Sequence, residues 1–125
     1  MIDVTKYLSL DWTPEFTCWH FIQKIYQEEL AIEIPPYELT VFTMVQEASE
    51  IMSGLLSPPL WIPIESPNKM SICVIGRKGM IYHVGFMLDN KSVLHLPRNS
   101  KPLVQKISSF SKSSDLSFFC HAQLH

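Results

Sequence analysis

Three residues of types that can cooperate in nucleophilic catalysis are spread along the chain: Cys18, His83 and His95. A thiol becomes an effective nucleophile when a neighbouring base removes its proton, and that base needs a third polar group to fix its tautomer. Cys18 begins an amphipathic segment, where the positive end of a helix dipole favours the thiolate. The residue types therefore indicate catalysis by an activated thiol. Spacing alone leaves open that all three are isolated core or surface residues.

The segment from Thr17 to Leu30 predicts the helix that carries the cysteine. Its apolar residues recur with the i, i+3, i+4, i+7, i+8 rhythm of one helical face, and they are Cys18, Phe21, Ile22, Ile25, Tyr26 and Leu30. Thr17 is the expected N-cap, because its hydroxyl can accept a hydrogen bond from a free N–H of the first turn. Taken alone, the helix favours a simpler interpretation, in which Cys18 is a small core residue.

The two histidines flank a predicted β-hairpin. They lie in apolar, β-branched segments that are separated by Asp89–Lys91. If these three residues form the loop, Gly85 lies opposite His95, and His83 and His95 become a diagonal pair on one face of the sheet. A two-residue loop would place the histidines on opposite faces. Gly85 would leave room for the two rings to meet.

The other cysteines and histidines fit structural roles better. Cys73 and Cys120 lie in apolar segments and are expected to be buried strand residues. The three cysteines contain no CxxC pair and no zinc-finger spacing, so we expect neither a disulfide framework nor a structural zinc site. His20 follows the first cysteine by two residues and is expected to point to another side of the helix. We expect surface or tail roles for His121 and His125.

The remaining elements predict an α+β fold with helices first and strands after. Further helices are expected at Val4–Leu10 and Thr40–Leu55. The proline-rich stretch Ser57–Asn68 is expected to be a loop or an edge segment, because proline cannot donate to a sheet. The predicted strands are Met70–Ile75, Ile81–Leu88, Ser92–Leu96, Leu103–Ile107 and Leu116–Ala122. The first three form an antiparallel meander, so we expect helices on one side of an antiparallel sheet.

Length and composition indicate one domain, residues 1–125. No apolar run approaches the ~20 residues that a membrane span needs. The N-terminal segment has no basic region followed by a long apolar stretch, so we expect no secretory signal and synthesis in the cytoplasm. The chain has two arginines and no arginine cluster, so nucleic-acid binding is poorly supported.

Charge is distributed unevenly along the chain. Residues 1–65 carry ten acids and two bases, and residues 66–125 carry two acids and eight bases, which gives −8 and +6. One interpretation is that the two parts attract each other across a shared surface. The other is that the protein presents two faces of opposite sign, one of which meets a charged substrate or partner.

Two motifs resemble those of the NlpC-type cysteine peptidases, and most closely the subgroup found in tailed-phage and prophage tail proteins. Cys18-Trp19 opens the helix and Glu29–Pro35 (ELAIEIP) closes it, as Cys-Trp and Glu-Leu-Gly-Ile-x-Leu-Pro do in that subgroup. His83–Asn90 matches its His-Val-Gly-Ile-Tyr-Leu-Gly-Asn, and Val93–His95 matches its strand ending in Ile-His. The resemblance covers about residues 5–107. The two motifs are fairly specific in this order and at this spacing.

The resemblance implies a papain-like α+β fold with a Cys-His-His triad and no metal or organic cofactor. Cys18 would be the nucleophile, His83 the general base and His95 the residue that orients it. The family hydrolyses amide bonds in the stem peptides of peptidoglycan. The main-chain N–H of Cys18 would be one oxyanion donor. The family often completes this hole with an aromatic residue, for which Trp12 and Tyr7 are the candidates here.

The sequence departs from the family pattern around the cysteine. Thr17 replaces an aspartate that often precedes it, and His20 replaces a small residue, usually glycine. The larger His20 side chain would narrow the cleft or offer substrate a polar contact. Pro67–Met70 lacks the usual Pro-Gly-Asp, and Lys91 replaces the hairpin glycine. All three triad positions are intact.

These observations support three hypotheses. The first is a peptidoglycan cysteine endopeptidase of a phage or prophage tail, which opens the cell wall during infection or acts in tail assembly. Its partners would be stem peptides and other tail proteins. The second is a structural tail-tip or tail-assembly module with the same fold and little or no activity. The third, an acyltransferase, needs a lipid-accepting cleft that the sequence does not show. A catalytic Cys18 is expected to alkylate far faster than Cys73 or Cys120 near neutral pH.

Overall fold

The computed structural model describes residues 2–34, 60–77, 80–110 and 114–124. Within these ranges one α-helix packs against a six-stranded antiparallel sheet. The helix and strands are α1 (Cys18–Leu30), β1 (Trp61–Ile64), β2 (Ile72–Arg77), β3 (Met80–Met87), β4 (Ser92–His95), β5 (Leu103–Lys106) and β6 (Asp115–His121). Short 3-10 helices lie at Val4–Lys6, Ile107–Ser109 and Ala122–Leu124. None of the helices in the described ranges is long and apolar enough to cross a membrane.

The α+β class and the antiparallel sheet predicted from the sequence are confirmed. The helix starts and ends where the apolar rhythm predicted, and the five predicted strands lie within two residues of their expected bounds. The helix predicted at Val4–Leu10 is instead a 3-10 helix, Val4–Lys6, whose β-branched residues have low α-helix propensity. The helix predicted at Thr40–Leu55 lies outside the described residues.

The strand order is β1-β6-β2-β3-β4-β5, and each neighbouring pair is antiparallel. Strands β2 to β5 follow one another as a meander, and β6 returns to lie between β1 and β2. The described end of the proline-rich stretch forms β1, which contains Pro63 and lies at the sheet edge. This confirms that the stretch does not form a central strand, because Pro63 has no N–H for a second neighbour.

The two faces of the sheet hold separate apolar clusters, which we call the helix face and the far face. The helix face packs against α1, and its buried strand residues are Trp61, Ile72, Val74, Val84, Phe86 and Leu94. The far face is smaller, and its buried residues are Cys73, Ile75, Met87 and Val93. Because side chains alternate along a strand, each residue's position decides which of the two faces it joins.

The end of α1 uses a backbone conformation that favours glycine. Ala31 has φ 53° and ψ 32°, and the N–H of Ile32 donates to the Tyr26 carbonyl at 3.1 Å. The N–H of Ala31 donates to the same carbonyl, so both N–H groups close the helix around a left-handed residue, a position where glycine is usual. Alanine is strained in this conformation, because its Cβ atom approaches the following carbonyl oxygen.

The β3–β4 hairpin has the predicted register. Gly85 lies opposite His95, and the N–H of Leu88 donates to the Ser92 carbonyl at 2.9 Å. The loop is therefore Asp89–Lys91, and the carboxylate of its first residue accepts two main-chain N–H groups further along at 2.7 Å. A three-residue loop is confirmed, and with it the placement of both histidines on one face.

The position of Gly85 leaves no room for a side chain. A Cβ atom there would lie 2.4 Å from Val93 Cγ2 and 3.1 Å from His95 Cβ. Glycine at this position therefore lets β3 and β4 pair closely enough for the two histidine rings to meet.

Replacing Gly85 with alanine is expected to lower the free energy of unfolding by about 1–3 kcal/mol, because a methyl group forced into a packed site displaces its neighbours. Urea denaturation followed by circular dichroism measures the change. Val93→Ala removes the closest clashing atom, so the double variant should be less destabilised than the two single effects added together. Simple additivity would contradict a steric origin.

Candidate active site

His83 and His95 are joined directly across the hairpin. The His83 Nε2 atom lies 2.7 Å from His95 Nδ1. The rings meet edge to face with their centroids 4.9 Å apart. His83 pairs with Ile75 of the far face, so both rings project from the side of the sheet opposite α1. The structure thus brings together the two histidines that the spacing singled out.

Gln105 on β5 extends this pair. Its Oε1 atom lies 2.6 Å from His95 Nε2, so both ring nitrogens of His95 have a partner. The ring of Phe110 meets that of His95 edge to face at 5.3 Å and restricts its orientation. Sequence reasoning missed Gln105 because no motif marks it. The register of β5 against β4 is what places it there, since Leu103 pairs with His95 and Gln105 is the next residue on the same side of the strand.

Cys18 reaches this region from the helix face. Its side chain is 7% exposed, and the main-chain N–H of Val84 donates towards its sulfur. Val84 directly follows His83 in β3. The thiol therefore meets the same strand that carries the candidate base, one residue away from it.

The pairing of β3 explains why the N–H of Val84 is available to a thiol. The N–H of Met87 donates towards β2, and the N–H of Leu88 donates towards β4. Because these directions alternate along a strand, the N–H of Val84 also points towards β4. However, β4 pairing ends at His95, opposite the residue after Val84. The Cys18 sulfur thus lies where the pairing of β4 ends, and Cys18 packs within the cluster of the helix face.

Desolvation dominates the acidity of the thiol. Burial raises the pKa of Cys18 to about 11, and the main-chain N–H groups of Val84, Trp19 and Cys18 itself offset part of this rise. A thiol with this pKa is about one part in ten thousand thiolate at pH 7. The expectation that the helix start would favour thiolate is therefore outweighed by burial. To act as a nucleophile, a thiol in this state would need a base to take its proton as it reacts.

Burial also makes both histidines neutral. It lowers the pKa of His83 to about 3, and the neighbouring His95 lowers it further. The pKa of His95 is lowered by burial, and the hydrogen bond to Gln105 acts in the opposite direction. A neutral imidazole has one N–H and one lone pair, so the chain of hydrogen bonds through these rings has a defined direction.

His20 helps to form the start of α1. Thr17 is the N-cap residue, as predicted, and its main-chain N–H donates to His20 Nδ1 at 3.0 Å. The Thr17 hydroxyl oxygen lies 3.0 Å from the same nitrogen, and the His20 ring stacks on Phe16 with centroids 6.3 Å apart. The imidazole takes the place that glutamate or glutamine has in a capping box. His20 therefore shapes the turn that precedes Cys18.

The two aromatic oxyanion candidates have partners elsewhere. The buried hydroxyl of Tyr7 donates to Glu29 Oε2 at 2.6 Å, close to the opposite end of α1 from Cys18. Trp12 is half-buried, and the guanidinium of Arg98 lies 5.6 Å from its ring centre. The structure does not bring the Tyr7 hydroxyl to Cys18, and it places Trp12 against the loop that follows β4.

The remaining sulfur and imidazole groups have the following positions. Cys73 is fully buried in β2, as predicted, whereas Cys120 lies in a strand as predicted but is only half-buried. The surface or tail role expected for His121 is wrong, because its ring is 1% exposed and meets Trp61 edge to face at 5.0 Å. The cause is the pairing of β6 with β1, which sets His121 opposite Trp61. His125 lies outside the described residues.

Ion pairs give little support to an attraction between the acidic and basic parts of the chain. Lys101 pairs with Asp11 across the two parts at 2.8 Å, but both side chains are more than half exposed, so the pair contributes little. Lys6 pairs with Glu28 and Glu29 inside the acidic part.

Comparisons with known proteins do not assign the chain to a family. No family model matches it, and no curated protein matches it. In the described part of the chain, no group of three or more metal-binding side chains is placed to hold an ion.

Replacing His83 with alanine is expected to slow alkylation of Cys18 by iodoacetamide at pH 7 by about tenfold or more, because a thiol with so high a pKa reacts through its base. Peptide mass spectrometry measures all three cysteines in one sample. Cys73 and Cys120 serve as internal controls and should keep their rates. In the unmodified protein Cys18 is still expected to react fastest, because the candidate base His83 directly precedes Val84, whose N–H donates towards the Cys18 sulfur. An unchanged Cys18 rate in His83→Ala would argue against this role for His83.

Stability is expected to fall as the pH drops below about 6.5. Burial lowers the pKa of the four described histidines, which are His20, His83, His95 and His121. The unfolded chain then binds more protons than the folded one below its ordinary histidine pKa, so the free energy of unfolding decreases with falling pH. Urea denaturation at pH 7.5, 6.5 and 5.5 measures this above the range in which carboxylates titrate. A flat or rising trend would contradict it.

Proposed function

We propose that the protein is a cysteine endopeptidase that hydrolyses amide bonds in the stem peptides of peptidoglycan. The observation that carries the proposal is the hydrogen-bonded chain from His83 through His95 to Gln105, on the strand whose Val84 N–H faces the Cys18 sulfur. Acyl transfer by a thiol requires an oriented imidazole that can take the thiol proton, and we assign that role to His83. The substrate class comes from the resemblance to NlpC-type peptidases.

The proposal includes a papain-like fold of the NlpC type. Three features support it. The helix begins at the cysteine, it packs on one side of an antiparallel sheet, and the β3–β4 hairpin contains both histidines. The strained C-cap at Ala31 also falls at the glycine of the resembling motif. These features agree with the fold that the motifs imply.

The geometry supports a mechanism in which His83 moves one proton at each step. The Cys18 sulfur attacks the amide carbonyl while His83 takes the thiol proton at Nδ1, since its Nε2 faces His95. The negative oxygen of the tetrahedral intermediate accepts the main-chain N–H of Cys18. As the C–N bond breaks, His83 gives its proton to the leaving amine. His83 then removes a proton from water, which attacks the thioester and releases the carboxylic acid and the thiol.

The resemblance to the tail-associated subgroup extends the proposal to a biological setting. We propose a phage or prophage tail component that acts at the bacterial cell wall, opening it locally during infection or contributing to tail assembly. Stem peptides are its substrates, and other tail proteins are its partners. The acidic and basic parts of the chain are candidate contact surfaces for those partners.

A second candidate function is a structural tail-tip or tail-assembly module with little or no activity. The observation that favours it is the burial of Cys18, which raises the pKa of the thiol to about 11. A thiol in this state needs both a working base and access for substrate. The module would keep the fold and lose one of these two requirements.

Digestion of purified peptidoglycan by the unmodified protein and by Cys18→Ala distinguishes these functions. We expect soluble stem-peptide fragments, identified by mass spectrometry, from the unmodified protein and none from Cys18→Ala. Cys120→Ala is the matched control, because it removes a half-buried thiol outside the site and should retain activity. Circular dichroism confirms that each variant is folded. Absence of fragments from a folded, unmodified protein would favour the structural module.

A further inference from the structure

Gln105 occupies a position that the triad alone does not explain. It is half-buried on β5, an edge strand, and its Oε1 atom faces His95 Nε2 at 2.6 Å. An oxygen at this place can only accept, so the proton of the bond belongs to His95 Nε2. The adjacent residue on β5, Val104, is 45% exposed and has no part in the chain of hydrogen bonds described here.

The position of the proton on His95 in turn determines which ring nitrogen of His83 carries a proton. With a proton on its Nε2, a neutral His95 presents a lone pair at Nδ1, which accepts from His83 Nε2 at 2.7 Å. His83 then carries its own proton on Nε2 and presents a lone pair at Nδ1. This is the tautomer that can accept the proton of a thiol.

The reverse orientation of the amide would give the opposite result. If Gln105 presented its NH₂ group, His95 would accept at Nε2 and carry its proton on Nδ1. His83 would then accept at Nε2 and carry its proton on Nδ1, so it could not take the thiol proton. One amide oxygen thus decides whether His83 is a base.

We propose that Gln105 is a positioning residue that selects the Nε2–H tautomers of His95 and His83 and so leaves His83 Nδ1 free to accept the Cys18 proton. The role of Cys18 rests on the proposed function, but the tautomers exist whether or not the protein cleaves a substrate. Gln105 acts through His95 and does not touch the reacting atoms.

An amide at this position also keeps the chain uncharged. Among the described residues, the titratable side chains that face His95 are His83 from β3 and, on the same face of β2, Cys73. Burial raises the pKa of Cys73 to about 12, so it is neutral at pH 7. A carboxylate in place of Gln105 would accept the same hydrogen bond but add a negative charge, which stabilises protonated imidazole. The amide therefore fixes the tautomer of His95 without adding a negative charge.

Nuclear magnetic resonance of the ¹⁵N-labelled protein tests the tautomers directly. Long-range ¹H–¹⁵N correlations at pH 7 are expected to show the proton on Nε2 in both His83 and His95. In Gln105→Leu, His95 should lose its single tautomer. In Gln105→Glu it should keep the Nε2–H form, and Val104→Thr should match the unmodified protein. A proton on Nδ1 of His95 in the unmodified protein would overturn the proposal.

The rate of Cys18 alkylation by iodoacetamide gives a second readout in the same proteins. Gln105→Leu is expected to lower the rate at pH 7 about tenfold or more, because His83 spends time in the wrong tautomer. Gln105→Glu should retain the alkylation rate at pH 7. The pH below which this rate falls should be higher than in the unmodified protein. If Gln105→Leu and Gln105→Glu slow the alkylation of Cys18 equally and leave the tautomers of His83 and His95 unchanged, Gln105 only supports the edge strand and the proposal fails.

Peptidoglycan digestion separates this proposal from the proposed function. If the tautomers and alkylation rates are as expected but peptidoglycan is not cleaved, the proposed peptidase activity is rejected and the positioning role of Gln105 is retained. Cleavage that depends on Cys18 but is unaffected in Gln105→Leu would retain the peptidase and reject the positioning role.

Discussion

The hydrogen bond between His83 and His95 is the interaction on which the rest of the candidate site depends. It exists only because the hairpin loop has three residues, since a shift of one residue would turn one ring to the other face. It also requires a glycine between the strands, because a side chain at position 85 would meet Val93 and His95. Loop length, register and one missing side chain therefore all serve a single contact between two rings.

Burial determines the electrical character of the site. The Cys18 thiol and the imidazoles of His83 and His95 are neutral at pH 7, because desolvation acts against the charged form of each. The hydrogen bonds from His83 through His95 end at an amide, Gln105, and not at a carboxylate. Such a site stores no thiolate–imidazolium pair in the resting protein. In the proposed mechanism, proton transfer would therefore accompany the attack on the carbonyl, as in a serine hydrolase, and no preformed ion pair would be involved.

Much of this arrangement could be predicted because it depends on local patterns. The apolar rhythm defined α1, and the Asp89–Lys91 loop defined the register that joins the histidines. Gln105 could not be found this way, since its role depends on how β5 pairs with β4 and no local pattern records that. The burial of His121 could not be predicted for a similar reason, because it follows from the pairing of two strands that are far apart in sequence. The raised pKa of Cys18 depends on three-dimensional packing, which a helix-dipole argument does not include.

The place where β4 stops has a consequence for how such a protein can evolve. Val84 offers its N–H to the Cys18 sulfur because no further β4 residue is paired there. An insertion or substitution that lengthened β4 by one pair would satisfy that N–H within the sheet and displace the thiol. The sheet would gain a hydrogen bond and the candidate nucleophile would be displaced, while every candidate catalytic side chain stayed unchanged. Strand length is thus a selectable trait in its own right, invisible to any inspection that asks only whether the cysteine and histidines are present.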